Sequence, residues 1–148
     1  MSKILSAILF SFTSLISITL SASNPTDWET YFENDTVKIE YKYQNCEYTQ
    51  QFNSDFVIFK ISNLTNNTLS LEWNEQLWYD GNCVNCETDS EENRKQITIL
   101  PTSITKGICN MNNPLRIFSK FTEKLEDMPG VNKINALTKF ELINLKIK

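Results

Sequence analysis

The segment Val37-Lys38-Ile39-Glu40-Tyr41-Lys42-Tyr43 alternates apolar and charged residues without a break. A helix cannot accommodate that period, because side chains two apart on a helix do not share a face. A strand can, since successive side chains leave it on opposite sides. One face is therefore buried and the other, carrying Lys38, Glu40 and Lys42, is wet. The same signal recurs along the chain. Phe56–Ile61 is a more continuously apolar run, as expected near the middle of a sheet. Leu69, Leu71 and Trp73 alternate with Ser70, Glu72 and Asn74, and Gln76–Tyr79 either prolongs that strand past a bulge or starts another. Gln96–Leu100, Leu115–Phe121 and Leu137–Ile147 complete the set.

Turn residues separate these runs. Asn63-Leu64-Thr65-Asn66-Asn67 tolerates left-handed geometry, so Phe56–Ile61 and Thr68–Trp73 read as a hairpin. Asp80-Gly81 turns the chain after Tyr79, and Pro101 ends the run at Leu100. In the last run Phe140 and Leu142 share a parity that Leu145 and Ile147 break, which predicts a bulge near Ile143-Asn144. Pro25 to Glu29 can cap one helical turn with Thr26 as N-cap, and Glu123–Met128 a second. Six to eight short strands without a long helical pattern predict an all-β fold, an antiparallel β-sandwich of immunoglobulin-like kind. Each inward Tyr, Phe, Ile, Leu or Trp is worth roughly 1.5–3 kcal/mol on burial.

The chain begins with a single Lys3, an uncharged apolar run from Ile4 to Leu20, and the small residues Ser21-Ala22-Ser23. This reads as a secretory signal peptide over 1–23, leaving 24–148 as one domain with no stable membrane insertion. Export to the periplasm or the exterior follows. About 125 residues suffice for one core and not for two ordinary domains. Loss of Lys3 takes the formal charge from −4 to −5, which gives no footprint for nucleic acid.

The four cysteines are Cys46, Cys83, Cys86 and Cys109. In an oxidising compartment an even set implies two disulfides. Three connectivities are open, and chain entropy separates them weakly. The expectation carried forward is Cys83–Cys86 stapling the CxxC loop and Cys46–Cys109 tying strand ends. The alternative is a metal- or redox-handling protein using the same four residues. A thioredoxin-like pair needs a helix N-terminus to lower its thiol pKa, whereas acidic residues flank this one. A four-cysteine zinc site ordinarily has two CxxC knuckles, and here there is one.

The chain contains no histidine, which removes His-based triads and His-ligated metals. No serine sits in a nucleophile-elbow pattern. The expectation is a protein that is not an enzyme and uses no cofactor or metal. What remains is the stretch from Trp73 to Glu92. Trp78 and Tyr79 point oppositely and offer an aromatic contact. Glu87, Asp89, Glu91 and Glu92 form an acidic run without the spacing of a calcium loop. These six residues are the candidate binding site, on a 77–93 loop facing an unknown protein or glycan partner. Asn34, Asn63 and Asn66 each begin an Asn-X-Thr triplet, which matters for glycosylation in a eukaryotic source.

The succession IEYKYQNC, FKISNLTNNTLSLEW, LWYDGNCVNC, LRIFSKF and LTKFELINLKIK resembles a group of small secreted bacterial proteins. LWYDGNCVNC is its most specific part. The resemblance implies export and a sandwich fold, and it implies no activity, ligand or catalytic residue. Trp73 lies too far after Cys46 for the Cys–Trp–Cys arrangement of true immunoglobulin domains.

Overall fold

The computed structural model describes residues 27–49, 51–87, 93–110 and 112–148. The leader, the proposed N-cap Thr26, and Asp89, Glu91 and Glu92 of the candidate site lie outside them. Among the described residues nine strands run β1 (Glu29–Glu33), β2 (Val37–Cys46), β3 (Ser54–Asn63), β4 (Leu69–Tyr79), β5 (Asn82–Cys83), β6 (Arg94–Ile99), β7 (Ile104–Lys106), β8 (Arg116–Phe121) and β9 (Leu137–Ile147). The fold is an all-β sandwich of two antiparallel sheets. In the first, β1-β2-β3 is continued by β7 and β8, which share one edge of β3. In the second, β4 is central, with β5 and β6 along one edge and β9 along the other.

Alternation sets the layers. Val37, Ile39, Val57, Phe59, Ile61, Leu115 and Ile117 from the first sheet meet Leu69, Leu71, Trp73, Ile99 and Leu137 from the second. The inward face of β2 fades along its length: Tyr41 is half-buried and Tyr43 is 38% exposed. β3 is apolar on both faces because both are covered. Phe56 and Ile58 pack outward against Cys46, Trp28, Tyr48, Cys109 and Phe118, forming a second, smaller core behind the sheet. The change of partner along β3 falls at Phe59, whose N–H donates to Leu115 and whose carbonyl accepts from Gly107. A Cβ at Gly107 would collide with the Leu115 carbonyl and the Ile58 side chain, so that close approach requires glycine.

Three expectations need correction or sharpening. Residues from Glu29 onward form strand β1, not a helical turn. A register shift between Thr30 and Phe32 lets Tyr31 and Phe32 both reach the core. Tyr31 stacks on Phe140 at 5.7 Å, and its hydroxyl accepts the Leu142 N–H at 2.7 Å, joining β1 to β9 across the sandwich edge. Secondly, β3 and β4 are not a hairpin. β3 pairs with β2, and residues 64–68 carry the chain to the other sheet. Two amphipathic strands can satisfy their apolar faces equally well by stacking across the core. Thirdly, β4 runs unbroken to Tyr79, and the bulge near Ile143-Asn144 is present. Asn144 has φ 54° opposite the shift between Glu72 and Asn74, and it keeps both Leu142 and Leu145 on the core. Glu123–Met128 holds a short 3-10 turn at Leu125–Asp127.

The crossing from β3 to β4 is held by one buried amide. Asn63 donates through Nδ2 to the carbonyls of Asn67 (2.7 Å), Leu100 (2.9 Å) and Ile99 (3.3 Å). Its Oδ1 accepts from the Thr65 N–H and hydroxyl. The nitrogen that a glycan would need is thus spent inside the fold. Asn63→Ala should lower stability by about 2 kcal/mol, since several buried backbone groups lose their partner at once. Urea melts would read this, and an unchanged midpoint would show that the loop relaxes to satisfy them otherwise.

Candidate functional site

The loop after β4 is built by turn chemistry and then locked. Asp80 (φ 49°) and Gly81 (φ 81°) form the two-residue connection between Tyr79 and Asn82, both in the left-handed region that a primed hairpin turn demands. Asp80 is anchored by Lys133 at 2.6 Å and by the Ala136 N–H at 3.1 Å, which together hold its carboxyl below the usual range. The four cysteines pair as Cys83–Cys86 and Cys46–Cys109. The first closes the loop; the second ties the end of β2 to the segment after β7 behind the first sheet. The two bridges sit on different sheets, so the four sulfurs do not converge as one tetrahedral metal set.

Between Asn74, opposite the first residue of β6, and Trp78, opposite the last residue of β5, the edge of β4 has no strand beside it among the described residues. Asn85 fills that gap. Its Oδ1 accepts the Leu77 N–H and its Nδ2 donates to the Glu75 carbonyl, both at 2.8 Å. The side-chain amide reproduces the hydrogen bonds of a neighbouring strand. Val84 N–H adds a bond to the Leu77 carbonyl at 2.9 Å. The result is a loop whose backbone is fixed while Val84, 59% exposed, stands at its surface.

Trp78 and Tyr79 do point oppositely. Trp78 is half-buried on the outer face, with the Lys139 ammonium 4.2 Å from its ring centre. Tyr79 turns inward, packs on the core and donates its hydroxyl to the Phe118 carbonyl at 2.6 Å. Burial, with the charge of Glu75, pushes its pKa to about 12. Tyr79 is thus a core residue that braces the site rather than a contact surface. Glu87 is exposed and borders a polar cleft of about 280 Å³, whose lining also includes Asn74, Gln76, Asn85 and Asn144. The structure therefore brings Trp78 and Glu87 to the loop region and leaves Tyr79 beneath it.

Sequence reasoning missed Glu75. It sits in phase with Leu69, Leu71, Trp73 and Leu77 on the inward face and is only 7% exposed. Its Oε1 and the Trp73 indole nitrogen have no hydrogen-bond partner among the described residues. Burial pushes the carboxyl up to about 7, against a weaker opposing pull from Lys95.

A second hollow, about 410 Å³, lies behind the first sheet and is lined by Tyr48, Phe52, Phe56, Arg116, Phe118 and Phe121. Its rings hold one another edge-to-face at 5.0–6.5 Å. Arg116 lies 4.2 Å over Phe56 and donates to the Tyr48 hydroxyl and the Cys109 carbonyl.

Among the described residues, no helix is long and apolar enough to cross a membrane, and no cluster of three or more metal-ligating side chains occurs. Comparison with known proteins finds no match: no family model, no curated protein and no solved structure is similar to this chain.

Proposed function

We propose that this chain is a non-catalytic, exported bacterial binding module that presents the 77–93 loop to a protein or glycan partner in the periplasm or outside the cell. The observation that carries this reading is the double fixation of residues 83–86, the described part of the loop's turn, by the Cys83–Cys86 bridge and the Asn85 clamp on β4. A loop already held in one conformation loses little entropy on docking, which is where rigid binding loops gain affinity. Trp78 supplies an amphipathic aromatic at the loop's base and Val84 an apolar side chain on the loop, the kind of anchors that dominate interfaces. Both cysteine pairs are oxidised, in keeping with an oxidising compartment. Insertion of such a loop into a protease cleft is one form this function takes.

The test is binding and inhibition against a panel of secreted proteases from different mechanistic classes, using the wild type and Val84→Asp. One-to-one inhibition that falls at least tenfold in Val84→Asp identifies an inhibitor. For any other partner, exchange of residues 82–87 for a flexible Gly/Ser linker should weaken binding to the same degree. A partner that binds the linker variant as tightly as the wild type would sink the assignment to this loop.

A further inference from the structure

The outer face of the first sheet concentrates positive charge in a chain that is acidic overall. Lys42 on β2, Lys60 on β3 and Lys106 on β7 place their ammonium nitrogens 5.3, 4.6 and 5.6 Å from the centre of the Trp28 ring. Trp28 precedes Glu29, which pairs with Tyr41, so it comes level with Lys42 at the sheet surface. Beneath, the indole rests on the small core around Cys46, Phe56 and Ile58.

This arrangement works against the stability of the sheet. Lys60 and Lys106 are direct register partners across β3 and β7, and like charges directly opposite on a ladder repel. Glu40 answers Lys60 at 2.8 Å. Lys42 and Lys106 have no carboxylate partner among the described residues. Cation–π attraction to one ring offsets part of the repulsion. Ile104, 66% exposed and two residues from Lys106 on the same face, extends the patch with apolar surface.

We propose that this face binds an anionic polysaccharide, with Lys42, Lys60 and Lys106 holding its carboxylate or sulfate groups and Trp28 gathering the three ammonium groups at one point. Ammonium groups act as separate point charges and suit anions spaced along a chain, whereas planar bidentate recognition of one anion calls for guanidinium. The three lysine-bearing strands span roughly 10 Å, the breadth of a single glycan strand. The net negative charge elsewhere disfavours a broad polyanionic surface such as a duplex or a bilayer. The site is separate from the 77–93 loop, so either proposal can fail without the other.

Titration calorimetry with heparin (sulfated) and polygalacturonate (carboxylated), with dextran as the neutral control, tests this. The wild type should bind at least one of the two polyanions and not dextran, and the affinity should fall steeply with added salt as the charges are screened. Lys42→Gln/Lys106→Gln, which leaves the buried cores untouched, should weaken binding at least tenfold and flatten the salt dependence. Trp28→Leu should weaken it severalfold with the salt dependence kept, and Lys124→Gln, which removes an exposed lysine outside the patch, should have no effect. Absence of binding to both polyanions in low salt overturns the proposal, as does binding that the double lysine variant leaves unchanged. Equal or tighter binding to duplex DNA or to anionic lipid vesicles overturns the assignment to a glycan.

Discussion

Replacing Cys46 and Cys109 together with alanine should lower folding stability by about 4 kcal/mol, against about 2 for Cys83 and Cys86. The difference comes from the unfolded chain. The first bridge spans a sequence separation of 63 residues and the second of 3, and the longer closure removes more entropy from the denatured ensemble. Packing acts in the same direction. Cys46 is 1% exposed at the end of β2 and joins Phe56 and Ile58 in the core behind the first sheet. Just beyond that bridge, the Cys109 carbonyl accepts bonds from Tyr48 and Arg116 that order the aromatic hollow. A loss of 4 kcal/mol is a large share of the 5–15 kcal/mol that holds a domain together. Guanidinium midpoints of the two double variants, read at equal slope, decide the matter. Equal destabilisation by both pairs would mean that the denatured chain is already compact around Cys46 and Cys109.

All six main strands were legible, because each buries one face and alternation reports that directly. β2, β3, β4, β6, β8 and β9 lie where the apolar periods put them. β5 and β7 have two and three residues, too few for a period to show. Thr26 and Glu29 have the spacing of a capping box and so suggest a helical turn where β1 begins; the bulge after Thr30, which brings Tyr31 and Phe32 to the core, belongs to the pairing of β1 with β2. The same limit explains the β3–β4 error. Alternation says which side of a strand is dry, and says nothing about whether the next strand lies beside it or across from it.

Site residues divide similarly. The opposition of Trp78 and Tyr79 follows from period two and was readable, and so was the turn at Asp80-Gly81. Asn85 looked like any loop asparagine, since its role depends on a gap in the edge of β4 that only the assembled sheet creates. The lysines around Trp28 come from three strands and carry no local signature. Glu75 did leave a trace. The phase of Leu69, Leu71 and Trp73 runs on through position 75 to Leu77, so an unbroken strand puts a carboxylate on the dry face. The assumed break at 74–76 concealed it.

That carboxylate sets the largest expected pH effect. Unfolded, Glu75 titrates near its ordinary 4.5; folded, burial holds it to about 7. Between those values the native state binds the proton more tightly, so the stability contributed by this group is complete below pH 4.5 and is lost as pH rises through 7. The difference amounts to about 3 kcal/mol, most of which appears between pH 5 and 8. Glu72 and Asp80, whose carboxyls are held below the usual range by Arg94 and Lys133, work with the opposite sign and act only in more acid solution. Glu75→Gln keeps the shape of the side chain and removes the charge. It should match the wild type near pH 4.5, exceed it by up to about 3 kcal/mol at pH 8, and flatten the slope between. Urea melts of both proteins across that range give the comparison. A wild type as stable at pH 8 as at pH 5, with Glu75→Gln indistinguishable from it, would mean that the carboxylate reaches water in solution. The retained cost of an ionised group beside Trp73 would then be no part of this fold.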